Sequence, residues 1–165
     1  MSEIVKIVQD LMNLPQHLCN ACGKCCKIAL YRGCLSYEEV KKIAESLTED
    51  PFAIQSTKDF LTIFEPFESV EEARKVDNAF VSKIYERFGN DSKVTFFHCR
   101  FVGENKCLIH EDRPDLCRAY PVVSERTIFF DECGYQQQCL INCQRINQIL
   151  EKFEEYKKRM AQKSE

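Results

Sequence analysis

The sequence lacks any long hydrophobic run. Its longest, such as Val94-Thr-Phe-Phe97 and Thr127-Ile-Phe-Phe130, fall far short of the ~20 apolar residues that a spanning helix requires, so no membrane segment is expected. An excess of one charge is missing too: the formal net charge is −3, with 23 basic and 26 acidic side chains interleaved. Without a basic patch the chain has no electrostatic footprint for nucleic acid, and no nucleic-acid partner is expected. The first ten residues, Met1-Ser-Glu-Ile-Val-Lys-Ile-Val-Gln-Asp10, interrupt their apolar positions with charges. They have neither the apolar centre nor the small-residue cleavage site of a signal peptide, and a cytoplasmic protein is expected. Internal repeats, low-complexity linkers, phosphate loops, nucleotide motifs and nucleophile–base pairs are all absent, which leaves no catalytic motif apart from a cysteine cluster.

Cysteine is abundant, with 11 in 165 residues. A reducing compartment disfavours a disulfide framework, and an odd count points the same way, toward metal binding or redox chemistry. Burial as small hydrophobes accounts for a few cysteines but not for their clustering. The length fits a single domain over 1–165, and 44% apolar with 30% charged residues is the profile of a folded chain.

Periodicity predicts an α+β domain of helices with a short antiparallel sheet or hairpins. Ile4, Ile7, Val8, Leu11 and Met12 mark a first helix, stopped by Leu14-Pro15. Residues 19–34 show no periodicity and read as a loop shaped by ligation. Ser36-Tyr-Glu-Glu39 is a capping box opening a helix whose apolar face runs through Val40, Ile43, Ala44 and Leu47. Residues 50–67 read as irregular. Ser69-Val-Glu-Glu72 repeats the capping signature for a helix ending at Gly89-Asn90. Three β-prone runs come next, 94–98, 106–109 and 122–130, broken by Gly103-Glu-Asn105 and by a proline-flanked turn or two of helix carrying Cys117. A C-terminal helix spans 137–160.

The chemistry centres on Cys19-Asn-Ala-Cys22-Gly-Lys-Cys25-Cys26. A C-x2-C unit puts two thiolates on one turn with backbone N–H groups free to point at the sulfurs. Cys19, Cys22 and Cys25 have the spacing of the first three bacterial ferredoxin ligands, but position 29 is Ala and no proline follows, which disfavours a ferredoxin. Adjacent Cys25 and Cys26 side chains diverge, implying two centres or a spare reactive thiol. Missing ligands can come from Cys99, Cys107 and Cys117, with Cys34 joining either group. Cys133, Cys139 and Cys143 form a separate late set, the last two one helical turn apart, suited to a second centre or to burial. The radical-initiating C-x3-C-x2-C spacing fails at Ile146, and no second C-x2-C stands at zinc-ribbon distance. His98, His110 and His17 are each ligands, partners of ligands or structural residues. Arg113 and Arg118, with Tyr120 near them, offset thiolate charge or pair with Glu111, Asp112 or Asp115.

Two motifs, 19–26 and Cys99-Arg-Phe-Val-Gly-Glu-Asn-Lys-Cys-Leu-Ile-His-Glu-Asp-Arg-Pro-Asp-Leu-Cys-Arg-Ala-Tyr-Pro121, resemble the CxxCxxCC proteins, also called YkgJ-type cysteine cluster proteins, a zinc- or iron-chelating domain. The likeness covers residues 17–123, with the C-terminal helix outside it. It implies eight metal-chelating cysteines: Cys19, Cys22, Cys25, Cys26, Cys34, Cys99, Cys107 and Cys117. A related arrangement occurs in flagellin lysine methylases, which are much longer. The cofactor expected first is an iron–sulfur cluster of the 4Fe–4S type, in a redox or enzyme-associated protein with a protein redox or substrate partner. Zinc in a structural or interaction module comes second, and a metal chaperone or storage protein third.

Overall fold

The computed structural model describes residues 2–89, 93–104, 106–125 and 127–162. It divides into two compact units, one made of Met1–Asn20 with Ala119–Glu165 and the other of Ala21–Arg118. Helices and one small antiparallel sheet make the class α+β, as the sequence predicts. No helix among the described residues is long and apolar enough to cross a membrane.

Helix α1 (Ser2–Met12) belongs to the first unit, and the short helix α2 (Lys24–Lys27) begins the second, central one. Three strands of the central unit, β1 (Ala29–Leu30), β2 (Phe64–Pro66) and β3 (Phe96–Cys99), form a sheet in the order β1-β3-β2. Ala29 pairs with Phe97 on one side of β3, and Phe64 pairs with Cys99 on the other. The expected run at 94–98 thus supplies the middle strand, while both its neighbours come from segments not expected to be strands. The run at 106–109 contributes only a single bridge, Val102 to Cys107. Residues 122–130 form no strand among those described. They bury Val123, Phe129 and Phe130 one by one instead. Pro66, which cannot donate to a ladder, sits on an edge strand as it must.

Helices α3 (Tyr37–Glu45), α4 (Pro51–Ile63) and α5 (Val70–Phe88) complete this unit's frame. Both halves of the capping box form: Glu39 N–H donates to Ser36 Oγ at 3.3 Å and Ser36 N–H donates to Glu39 Oε2 at 2.8 Å. The helix stops at Glu45, so Leu47, expected on its apolar face, stands 99% exposed. Helix α4 corrects the irregular reading of 50–67. Asp50 caps it by accepting from Ala53 N–H at 3.0 Å, and Pro51 occupies the first turn, where its missing N–H costs nothing. Ser69 caps α5 as expected, accepting from Glu72 N–H at 3.3 Å. Asp77 breaks the helical backbone inside α5 and recaps it through Phe80 N–H at 2.9 Å. Gly89 closes α5; Asn90 and Asn105 lie outside the described residues.

The core of the unit is aromatic. Phe97 is fully buried and meets Phe60 edge-on at 5.0 Å and Tyr37 at 6.1 Å, while Phe60 stacks on Phe64 at 4.7 Å. One polar chain crosses it. The Tyr31 hydroxyl lies 2.6 Å from Thr57 Oγ1, which itself donates to the Ala53 carbonyl at 2.6 Å, so the phenol must be the donor to threonine. Helix α6 (Asp115–Arg118) is the expected short helix carrying Cys117, and its Leu116 packs on the same core.

In the other unit α1 and a 3-10 turn, Gln16–Leu18, lead to Cys19, and the long helix α7 (Gln136–Gln162) covers the expected C-terminal helix. Helices α1 and α7 pack together through a buried Asn142, whose amide donates to the Leu11 carbonyl at 2.7 Å and accepts from Gln138 at 2.8 Å.

Candidate metal centre

The first cysteine pair in the central unit is placed by backbone geometry. Gly23 adopts φ +71°, a left-handed conformation that costs glycine little, and its carbonyl accepts from Cys26 N–H at 2.9 Å and Lys27 N–H at 3.0 Å. This winds Cys25 and Cys26 into α2, whereas the sequence predicts a loop throughout 19–34. Helix α2 runs directly into β1 through Ile28, which is 1% exposed and anchors the junction. Continuing the β1–β3 register places residue 27 opposite Cys99, which is why the Cys26 thiol comes to share a hydrogen bond with Cys99.

Beyond Cys99 the chain turns at once. Phe101 N–H donates to Cys99 Sγ at 3.3 Å, and the Val102–Cys107 bridge, closed by Gly103 N–H to the Lys106 carbonyl at 2.9 Å, brings Cys107 back. Arg113 Nε donates to the His110 carbonyl at 2.8 Å, and Arg118 donates to the carbonyls of Arg113 and Glu111 at 2.9 and 2.6 Å. These bonds fix the loop that delivers Cys117. Arg118 thus bonds backbone carbonyls, and the Arg113 charge acts on Cys117.

The outcome is a gathering of five thiols, Cys25, Cys26, Cys99, Cys107 and Cys117, each felt electrostatically by others. The Cys26 thiol is held well above its ordinary range, chiefly by its hydrogen bond with Cys25, with burial and neighbouring thiols adding to this and Cys99 opposing. Its bond with Cys26, followed by burial, raises Cys99 against the lowering effect of Phe101 N–H. Burial, with the charges of Cys99 and Cys107, pushes the Cys117 thiol up to about 11, while Arg113 pulls it down. Crowded thiols resist ionising together, a penalty that a cation removes. Among the described residues no three His, Cys, Asp or Glu side chains are already arranged to hold a metal ion. The thiols are gathered but not closed, and the donor set, all sulfur, suits zinc or iron.

The remaining expected ligands are Cys22, Cys34 and Cys19. Cys22 is exposed on the turn between Ala21, at φ +52°, and Gly23. Cys34, at φ +54°, is half-buried; burial raises its thiol and Arg87, not another cysteine, opposes the rise. Cys19 belongs to the other unit, where it packs with Cys133, Cys139 and Cys143 in one apolar cluster. Cys139 and Cys143 do share a helix face, their thiols hydrogen-bonded; burial first, then Cys139, raises Cys143. No motif spacing signals the approach of Cys19 to this set, which joins segments more than a hundred residues apart. His98 faces Glu65, with Nε2 3.5 Å from Oε1, and its ring lies 4.9 Å from that of Phe67.

A family model described as "CxxCxxCC: Putative zinc- or iron-chelating domain" matches residues 18–158. The match extends past the 17–123 span of the sequence resemblance and includes most of α7. No curated protein and no solved structure matches the chain.

Proposed function

We propose, from the premise that this chain belongs to the CxxCxxCC family of zinc- or iron-chelating domains, that its central unit holds an iron–sulfur cluster in a redox or enzyme-associated role. The observation that carries this reading is the convergence of Cys25, Cys26, Cys99, Cys107 and Cys117 from α2, β3, the hairpin and α6. An all-sulfur donor set suits iron and zinc alike; iron–sulfur clusters are held by four cysteine thiolates and tuned by hydrogen bonds to sulfur, and the Phe101 N–H to Cys99 Sγ bond is one of that kind. Such a cluster, when bound, supplies electron transfer at a potential set by its surroundings.

The chain's own residues have separable tasks. Cys99 anchors the site, because it is buried at the end of β3 and its position is fixed by strand pairing. Phe101 N–H stabilises negative charge on its sulfur. Arg113 offsets thiolate charge at Cys117. Cys25, Cys26, Cys107 and Cys117 are only half-buried, which leaves the site near enough to the surface for exchange with a protein redox or substrate partner.

A serine series tests the assignment. Under anaerobic conditions Cys26→Ser, Cys99→Ser, Cys107→Ser and Cys117→Ser should each lower bound iron and sulfide and the visible absorption that reductant bleaches, while Cys34→Ser leaves all three intact. Full iron and sulfide in Cys107→Ser and Cys117→Ser together would overturn it.

A further inference from the structure

Apart from the five thiols of the central unit, four more cysteines belong to or pack against one apolar cluster. Cys139 and Cys143 are buried on one face of α7, Cys139 fully, and share a thiol hydrogen bond. Cys19 and Cys133 pack against the same cluster. Two contacts hold the segments of these last two side by side. The Asn20 side-chain amide donates to the Glu132 carbonyl at 3.2 Å, and Gly134 lies so close to the Leu18 carbonyl that a Cβ at 134 would overlap its oxygen. Residues 18–20 therefore run along 132–134 with Cys19 and Cys133 each at the middle of its segment. Glu132, a non-glycine residue at φ +65°, makes the turn into Cys133, a conformation that surrounding structure must enforce.

Buried cysteine as a small hydrophobe does not require such a meeting, since one or two would fill the space. Four cysteines from two loops and one helix offer the all-cysteine donor set that a structural zinc site uses, although among the described residues no three of them are already arranged to hold an ion. A cleft of about 230 Å³, lined by Cys143, Ser124 and Glu125 among others, borders one of the four cysteines.

We propose that Cys19, Cys133, Cys139 and Cys143 form a second, zinc-class metal site within the Met1–Asn20 and Ala119–Glu165 unit, so that Cys19 leaves the motif in which it is written and serves a different ion from Cys25 and Cys26. Binding replaces each thiol proton by a bond to the ion; the protons are released to solvent and no oxidant or reductant is needed. This second site does not depend on which metal the central unit holds.

The test uses the full chain, reduced and stripped with a chelator under anaerobic conditions, then loaded with zinc alone. Iodoacetamide labelling with peptide mass mapping reads each thiol, and metal analysis counts zinc. Zinc should shield Cys19 and Cys133, which are only half-buried without it, and chelation should expose both together. Cys133→Ser should lose one zinc per chain, and Cys107→Ser/Cys117→Ser, which removes thiols of the central unit, should keep the zinc that shields Cys19. Equal labelling of Cys19 and Cys133 with and without zinc would overturn the site. So would a Cys133→Ser chain that keeps every zinc of the wild type. Should Cys133→Ser fail to fold, the wild-type labelling decides alone.

Discussion

Replacing Phe97 by alanine probes the frame that delivers Cys99. The ring is fully buried in the middle strand, two residues before Cys99 and on the same face of the sheet. Losing its burial costs roughly 3 kcal/mol, and its two edge contacts, with Phe60 at 5.0 Å and Tyr37 at 6.1 Å, add about 0.5 kcal/mol each at the lower end of their range. The sum, about 4 kcal/mol, lies inside the range of roughly 3–5 kcal/mol typical of Phe→Ala in a core. It corresponds to about a thousandfold shift toward the unfolded chain. Urea unfolding of the metal-free protein should show this loss, and metal uptake should weaken in step, since ions bind the folded unit. Phe52→Ala serves as control, because Phe52 is 78% exposed and should change stability by less than about 0.5 kcal/mol. A Phe97→Ala chain that loses under about 1 kcal/mol by the same assay would refute the packing argument.

Ser36→Ala removes one half of the α3 capping box and should cost about 1 kcal/mol in the same unfolding assay. Tyr31→Phe deletes the donor to Thr57 while leaving the Thr57–Ala53 bond in place, so a loss of about 1 kcal/mol is expected, without the larger penalty of an orphaned threonine proton. Gly134→Ala should drive Leu18 away from Cys133 and destabilise the chain by about 2 kcal/mol or more, with accelerated iodoacetamide labelling of Cys19 under zinc as its signature.

Local signals in the sequence specify much of this structure. Ser36 with Glu39, Ser69 with Glu72 and Leu14-Pro15 each announce a helix boundary through a hydrogen bond or a missing donor, and the structure has a boundary at each. Asp50-Pro51 carries the same kind of signal but is obscured by the phenylalanines around it, whose helical spacing shows once Thr57, Phe60 and Ile63 are seen buried together. The strands are harder to read. Ala29–Leu30 and Phe64–Pro66 are too short to show alternation, and they pair only because Phe97 offers a buried ring between them. Among the cysteines, motif spacing groups Cys19, Cys22 and Cys25 and leaves Cys99, Cys107 and Cys117 to supply further ligands. It does not signal the approach of residues 18–20 to 132–134, which depends on a glycine at 134 letting two distant segments touch.

Anaerobic purification of the full chain, with a visible spectrum and parallel iron, zinc and acid-labile sulfide analysis, decides whether the central unit's thiols hold an iron–sulfur cluster. A brown protein is expected, with iron and sulfide in comparable amounts, bleached by reductant, and zinc alongside them. A colourless protein with stoichiometric zinc and no sulfide would contradict the cluster.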